Sequence, residues 1–140
     1  MRGRDVDAVD TVMDWPATLT EASLTSSAET VAAYAELTAD YNPIHVDPAF
    51  AATTPFGRPI VHGTWSLNAL GLAMAATFPP EIAARADLDL QFVAPVFVGE
   101  TIRAGGERRG DGEGRYAVWI KAGDRRVVRG TLSFSASACS

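Results

Sequence analysis

A single α+β domain, an antiparallel β-sheet wrapped around a central α-helix, is the fold class the 140-residue sequence predicts. Three observations predict it. Residues 62–77, HGTWSLNALGLAMAAT, carry apolar side chains on nearly every face with small residues between the large ones, the pattern of a helix enclosed by protein. Four later segments read as strands separated by glycine- or proline-containing turns, which makes them antiparallel neighbours. One more strand-like segment, over residues 17–24, precedes the helix.

The elements follow in order. Residues 1–14 alternate charge with small apolar side chains and read as a solvated, flexible tail, leaving 15–140 as the domain. The threonines and leucines of PATLTEASL suggest the first strand. Ser26 followed by Glu29 makes a capping-box signature, and SAETVAAYAELTA then predicts a helix over 27–39 with Val31, Tyr34, Ala35 and Thr38 on one face. Asn42-Pro43 bars its continuation, because the residue before proline is pushed out of the helical region and proline has no amide hydrogen. Pro48 starts a short helical turn through Ala52, TTPFGRP is loop chemistry, and Pro79-Pro80 end the enclosed helix. Trp65, Leu67, Leu70, Leu72 and Met74 are expected as its core side chains. LDLQFVAP, ETIRAGGERR, GRYAVWIKAG and RRVVRGTLSFSAS are the late strands.

Composition narrows the function. A lone Cys139 permits no intrachain disulfide, and the N-terminus lacks the apolar core of a signal peptide, so a cytoplasmic location is expected. The most apolar segment is interrupted too often by polar residues to span a bilayer. The net charge of -5 divides into -8 over residues 1–98 and +3 over 99–140. An acidic chain is a poor general binder of nucleic acid, although a local basic patch is compatible with a small phosphorylated ligand. ERRGDGEGR itself reads as a solvated hairpin turn.

Both histidines of the chain fall within residues 38–63, TADYNPIHVDPAFAATTPFGRPIVHG. Asp40 stands where a helix ends, and His45 follows across a proline-enforced turn, so carboxylate and imidazole converge as a general acid/base pair for one water. GRPIVHG leads directly into the enclosed helix. The Gly63 amide therefore sits at the helix N-terminus, where unpaired amides and the helix dipole favour a carbonyl that gains negative charge. His62 is read as structural, capping or orienting the start of that helix.

DYNPIHVD, then FGRPIVHG, then FVAPVFVGETI resemble the MaoC-like dehydratases, the (R)-specific enoyl-CoA hydratase or hydratase 2 family, which adopts the hot-dog fold. The resemblance covers residues 17–137. It implies that Asp40 and His45 hold the catalytic water, that Gly63 supplies the oxyanion-hole amide to the thioester carbonyl, and that Asn42 and His62 support the site. The implied reaction is reversible hydration of a trans-2-enoyl thioester to the (R)-3-hydroxyacyl thioester, on coenzyme A or a carrier protein, with no metal or redox cofactor. It also implies a homodimer joined edge to edge. Tyr34, Phe56, Arg58 and Ser66 are candidate contacts to the acyl chain or coenzyme A, each with an ordinary packing or capping role as its simpler explanation.

Two other functions fit the same motif. In a hot-dog thioesterase the activated water attacks the carbonyl instead of C3 and releases free thiol. A non-catalytic acyl-thioester-binding subunit would bind without turnover, but has no need of an acid/base pair. Asp40, His45, Asp47 and His62 also contain the two-histidine, one-carboxylate set of non-haem iron sites, yet no local ligand spacing supports a metal.

Overall fold

In a computed structural model, residues 14–110 and 114–135 are described. The predicted tail up to residue 13, the tip of the ERRGDGEGR turn and Cys139 lie outside them.

The order is β1 (Ala22–Thr25), α1 (Ala28–Thr38), α2 (Pro43–Val46), α3 (Pro48–Ala51), α4 (Gly63–Thr77), α5 (Pro80–Ala83), β2 (Ala86–Phe92), β3 (Thr101–Arg108), β4 (Tyr116–Ala122) and β5 (Arg125–Phe134). The strands form one five-stranded sheet in the order β1-β3-β4-β5-β2, antiparallel at every pairing. Helix α4 packs on its inner face: this is the hot-dog arrangement. Among the described residues no helix is long and apolar enough to cross a membrane.

Local chemistry fixes the borders. The capping box uses Ser27 and Thr30, one residue later than expected: Ser27 Oγ accepts the Thr30 amide, and Thr30 Oγ1 accepts the Ser27 amide. Ser26 is turned inward instead, its hydroxyl donating to the Glu100 carbonyl at 3.0 Å and accepting the Gly99 amide at 2.9 Å. The first strand is shorter than predicted: residues 17–21 meet the sheet backbone at an isolated bridge, Thr18 to Glu107, where the Leu19 amide donates to the Gly106 carbonyl and the Arg108 amide to the Ala17 carbonyl. The first helical run stops at Thr38, before Asn42-Pro43 is reached, and Asn42-Pro43 starts α2, with Asn42 Oδ1 accepting the Ile44 amide.

The core lies between α4 and the sheet, where Trp65, Ala69, Leu70, Ala73 and Met74 meet Ile102, Ile120 and Leu132. Burying a leucine such as Leu70 contributes about 1.5–3 kcal/mol. A single chain does not enclose α4 completely, however. Thr64, Asn68, Gly71, Leu72, Ala75 and Ala76 form an exposed stripe, and Leu72, expected in the core, is half exposed.

Strand β5 has one residue more than its partner. Ile120 pairs with Val128 but Lys121 pairs with Arg126, so Val127 is an extra, bulged residue. Val127 and Val128 are consequently both buried.

Candidate active site

Ala39 closes α1 in the left-handed conformation, φ 58°, while the Asp40 amide donates to the Ala35 carbonyl. The chain thus reverses just before the carboxylate. Asp40 Oδ1 accepts the Asn42 amide at 3.3 Å, a turn closed by its own side chain. Asn42, by capping α2, sets the pitch of the one helical turn that carries His45.

His45 Nδ1 lies 2.8 Å from the Ile60 carbonyl oxygen. A carbonyl only accepts, so Nδ1 carries a hydrogen and Nε2 is the nitrogen left for chemistry. His62 Nε2 is 3.0 Å from the Asp40 backbone carbonyl and donates to it, with Asp40 Oδ2 4.0 Å away. His62, expected to cap or orient the start of α4, occupies its N-cap position, makes no side-chain cap bond, and ties the start of α4 to the end of α1. Its ring is buried and stacks on His45, centroids 3.9 Å apart. Tyr34 packs edge-on against His62 and exchanges a 2.8 Å hydrogen bond with Thr64 on the first turn of α4.

Asp40, His45 and His62 bring one donor atom each within 4.8 Å of the others. Asp47 stands outside this group, its carboxylate accepting the Ala49 and Phe50 amides at the start of α3. Each histidine already commits one nitrogen to a backbone carbonyl, so joint metal ligation has to use the remaining nitrogens of two stacked rings.

Beside these groups opens an apolar cavity of about 340 Å³, whose wall includes His45, Phe56, Gly63, Ser66 and Phe92. Val127 and Val128 close its sheet side. Gly63 begins α4, so its amide belongs to the first turn, which has no intrahelical acceptor. A Cβ on Gly63 would stand 3.3 Å from the Phe92 ring, so glycine permits this close approach.

Of the predicted contacts, Phe56 and Ser66 line this cavity, whereas Tyr34 serves the histidine pair from behind. Arg58 is drawn elsewhere: its guanidinium lies 4.2 Å over the Phe97 ring. On the same ring rests Arg125, which donates twice to Glu100 at 2.7 and 3.2 Å. That hydrogen bonding holds the Glu100 carboxyl below its ordinary value of 4.5, against burial and with help from the Phe97 amide and Arg58. Three groups at the site escape sequence reasoning: the Ile60 carbonyl that orients His45, Thr64 that anchors Tyr34, and Phe92 that covers Gly63. Only Thr64, next to the His-Gly pair, sits where local spacing draws attention.

The profile of the MaoC-like domain family matches residues 14–128. The (R)-specific enoyl-CoA hydratase of Aeromonas caviae is 45% identical over 53% of this chain and 55% of its own length, so that match spans about half of the relative. The 3-hydroxybutyryl-CoA dehydratase of Methylorubrum extorquens is 33% identical over 74% of this chain and 69% of its own length. Among solved structures, the A. caviae (R)-hydratase involved in PHA biosynthesis superposes with a TM-score of 0.65 and 30% identity, over 87% of this chain and 99% of that one.

Proposed function

Because the chain belongs to the MaoC-like dehydratase family, we propose that it catalyses reversible hydration of trans-2-enoyl thioesters to (R)-3-hydroxyacyl thioesters. The observation that supports this reading is that Asp40, His45 and His62 bring donor atoms within 4.8 Å of one another, while His45 and Gly63 both line the apolar cavity. The named activities of the A. caviae and M. extorquens relatives support it.

The acyl chain occupies the cavity and the thioester carbonyl meets the Gly63 amide. Water held between the Asp40 carboxylate and His45 Nε2 adds its oxygen to C3. Electrons of the C2=C3 bond move onto the carbonyl oxygen as an enolate, which the helix N-terminus stabilises. One member of the pair takes a proton from the water and the other returns one to C2, so the balance is one water added. Net oxidation state is unchanged, so the reaction calls for no redox cofactor. His62 holds the pair in place, and Asn42 sets the loop.

The working unit in this reading is a homodimer. Edge strand β2 leaves Leu88 and Phe92 exposed, Val93 follows it, and α4 offers its open stripe, surfaces a second copy would cover.

Incubation with crotonyl-coenzyme A tests the proposal, following enoyl absorbance and free thiol together. Loss of absorbance without thiol, giving the (R) product, is expected. Thiol release would reassign the chain to thioester hydrolysis, and absence of turnover on short and long enoyl chains would remove the assigned roles of Asp40 and His45.

A further inference from the structure

The outer face of the sheet, turned away from α4, carries charge in an ordered pattern. Directly paired residues of antiparallel strands share a face. Arg103 pairs with Lys121 and Lys121 with Arg126, a row of three cations across β3, β4 and β5. The next row is Gly105, Trp119, Arg129 and Gln91, and the one beyond is Glu107, Ala117, Thr131 and Asp89.

The bulge at Val127 makes this possible. Arg126 and Arg129 are three apart and in a regular strand would point to opposite faces; the extra residue puts both outside while both valines go in. The Trp119 indole lies on Gly105, where a Cβ would come within 2.6 Å of the ring. Lys121 Nζ lies 4.5 Å and Arg103 Cζ 5.3 Å from its centroid, so the indole fixes two of the cations. Arg103 is answered by Glu21 at 3.3 Å, and Arg129 donates to the neutral Gln91. Among the described residues, Lys121, Arg126 and Arg129 have no carboxylate partner. These side chains border a surface concavity of about 610 Å³.

We propose that this concavity binds a small ligand bearing two or more linked phosphate groups, at a site separated by the sheet from the candidate active site. Strand spacing of about 4.8 Å separates Lys121 from Arg126, the two cations of the first row that line the concavity, and Arg129 follows in the next row, a spacing that linked phosphates bridge. Glu107 and Asp89 line the far end of the same concavity, one row beyond the cations, with Arg109 beside them in the lining. An extended acidic protein surface would meet them, whereas a compact polyphosphate fits inside the cationic rows. The ligand class depends on charge spacing alone and stands whether or not the hydratase reading does.

Calorimetric titration of the 140-residue chain with pyrophosphate, ADP and orthophosphate tests this, with tryptophan fluorescence, compared with that of Trp119→Phe, as a second readout. Saturable binding of pyrophosphate and ADP is expected, with orthophosphate, Lys121→Glu and Arg126→Glu each weakening it by about tenfold or more. Arg126→Lys should keep most of the affinity, and circular dichroism should show every variant folded. Equal affinity for pyrophosphate and ADP means that phosphates alone are read; tighter ADP binding adds a nucleoside contact. No saturable binding at millimolar ligand, unchanged affinity in the folded charge-reversal variants, or binding of polyglutamate but neither phosphate ligand would overturn the proposal.

Discussion

His45 and His62 stack face to face, 3.9 Å between centroids and 25° between planes, and each is anchored by one nitrogen to a different backbone carbonyl. Ile60 holds one ring and Asp40 the other. The pair therefore links three segments, α2, the loop before α4 and the end of α1, without using the two nitrogens that remain.

Removing either side chain of the water-holding pair should abolish hydration while leaving the fold. Asp40→Asn and His45→Gln are each expected to lower kcat by about 10²–10⁴-fold, the usual contribution of a positioned acid or base. Steady-state rates on crotonyl-coenzyme A, alongside an unchanged circular dichroism spectrum, check this.

His62→Phe keeps an aromatic face for the stack but leaves the Asp40 carbonyl without its donor. Stability should fall by about 0.5–1.5 kcal/mol, read by urea unfolding, and kcat should fall more than KM rises because Asp40 loses its tether.

Gly63→Ala separates activity from stability. Alanine is the better helix former, so the melting temperature should hold or rise. The new methyl meets the Phe92 ring at 3.3 Å and crowds the carbonyl site, so kcat should drop by about 10²-fold. Adding Phe92→Leu should restore part of the rate where the ring is the obstacle, and none where the methyl itself blocks the carbonyl.

The Arg125–Glu100 pair predicts a dependence on acid. The folded carboxyl lies below its ordinary value of 4.5, so the unfolded chain binds the proton first and the pair stabilises the fold above that pH. The pair is partly solvated, so its contribution is about 1 kcal/mol at most. Unfolding of the protein and of Glu100→Gln should differ most near neutrality, and the difference should vanish as pH falls through the folded value.

Tyr116 predicts the opposite limb. Its buried hydroxyl donates to the Pro16 carbonyl at 2.7 Å, and burial raises its ionisation above 10.0, Arg108 opposing. The fold should lose stability as pH rises from 10.0 through the folded value, because the unfolded phenol ionises first. Tyr116→Phe should remove that alkaline loss and cost about 1 kcal/mol at neutral pH, both measured by denaturant titration.

The sequence made local features readable and long-range ones not. Pro79-Pro80 and the His-Gly pair bracket α4 to within a residue, and the Asp40-to-His45 spacing needs only the turn at Asn42-Pro43. The capping box slips by one because Ser26 and Ser27 offer the same hydroxyl, and only the contact of Ser26 with the distant Gly99 and Glu100 decides which of them faces inward. The His62 role is hidden for a similar reason: a histidine before a helix resembles a cap until the carbonyl of Asp40, 22 residues earlier, is found beside it. Apolarity all round α4 predicts burial on every face, whereas the stripe through Leu72 stands exposed in the single chain. RRVVRG, read by strict alternation, places one valine and one arginine on the wrong faces, since periodicity does not register an extra residue.

That extra residue governs which changes of length β5 can absorb. Loss of Val127 would let Arg126↔Lys121 and Val128↔Ile120 become consecutive rungs, and every remaining side chain would keep its present face. An in-frame deletion farther along β5 would instead invert all positions beyond it, sending Ser133 toward the core and Leu132 toward water. Among related chains, length variation in this strand should therefore collect at a single codon.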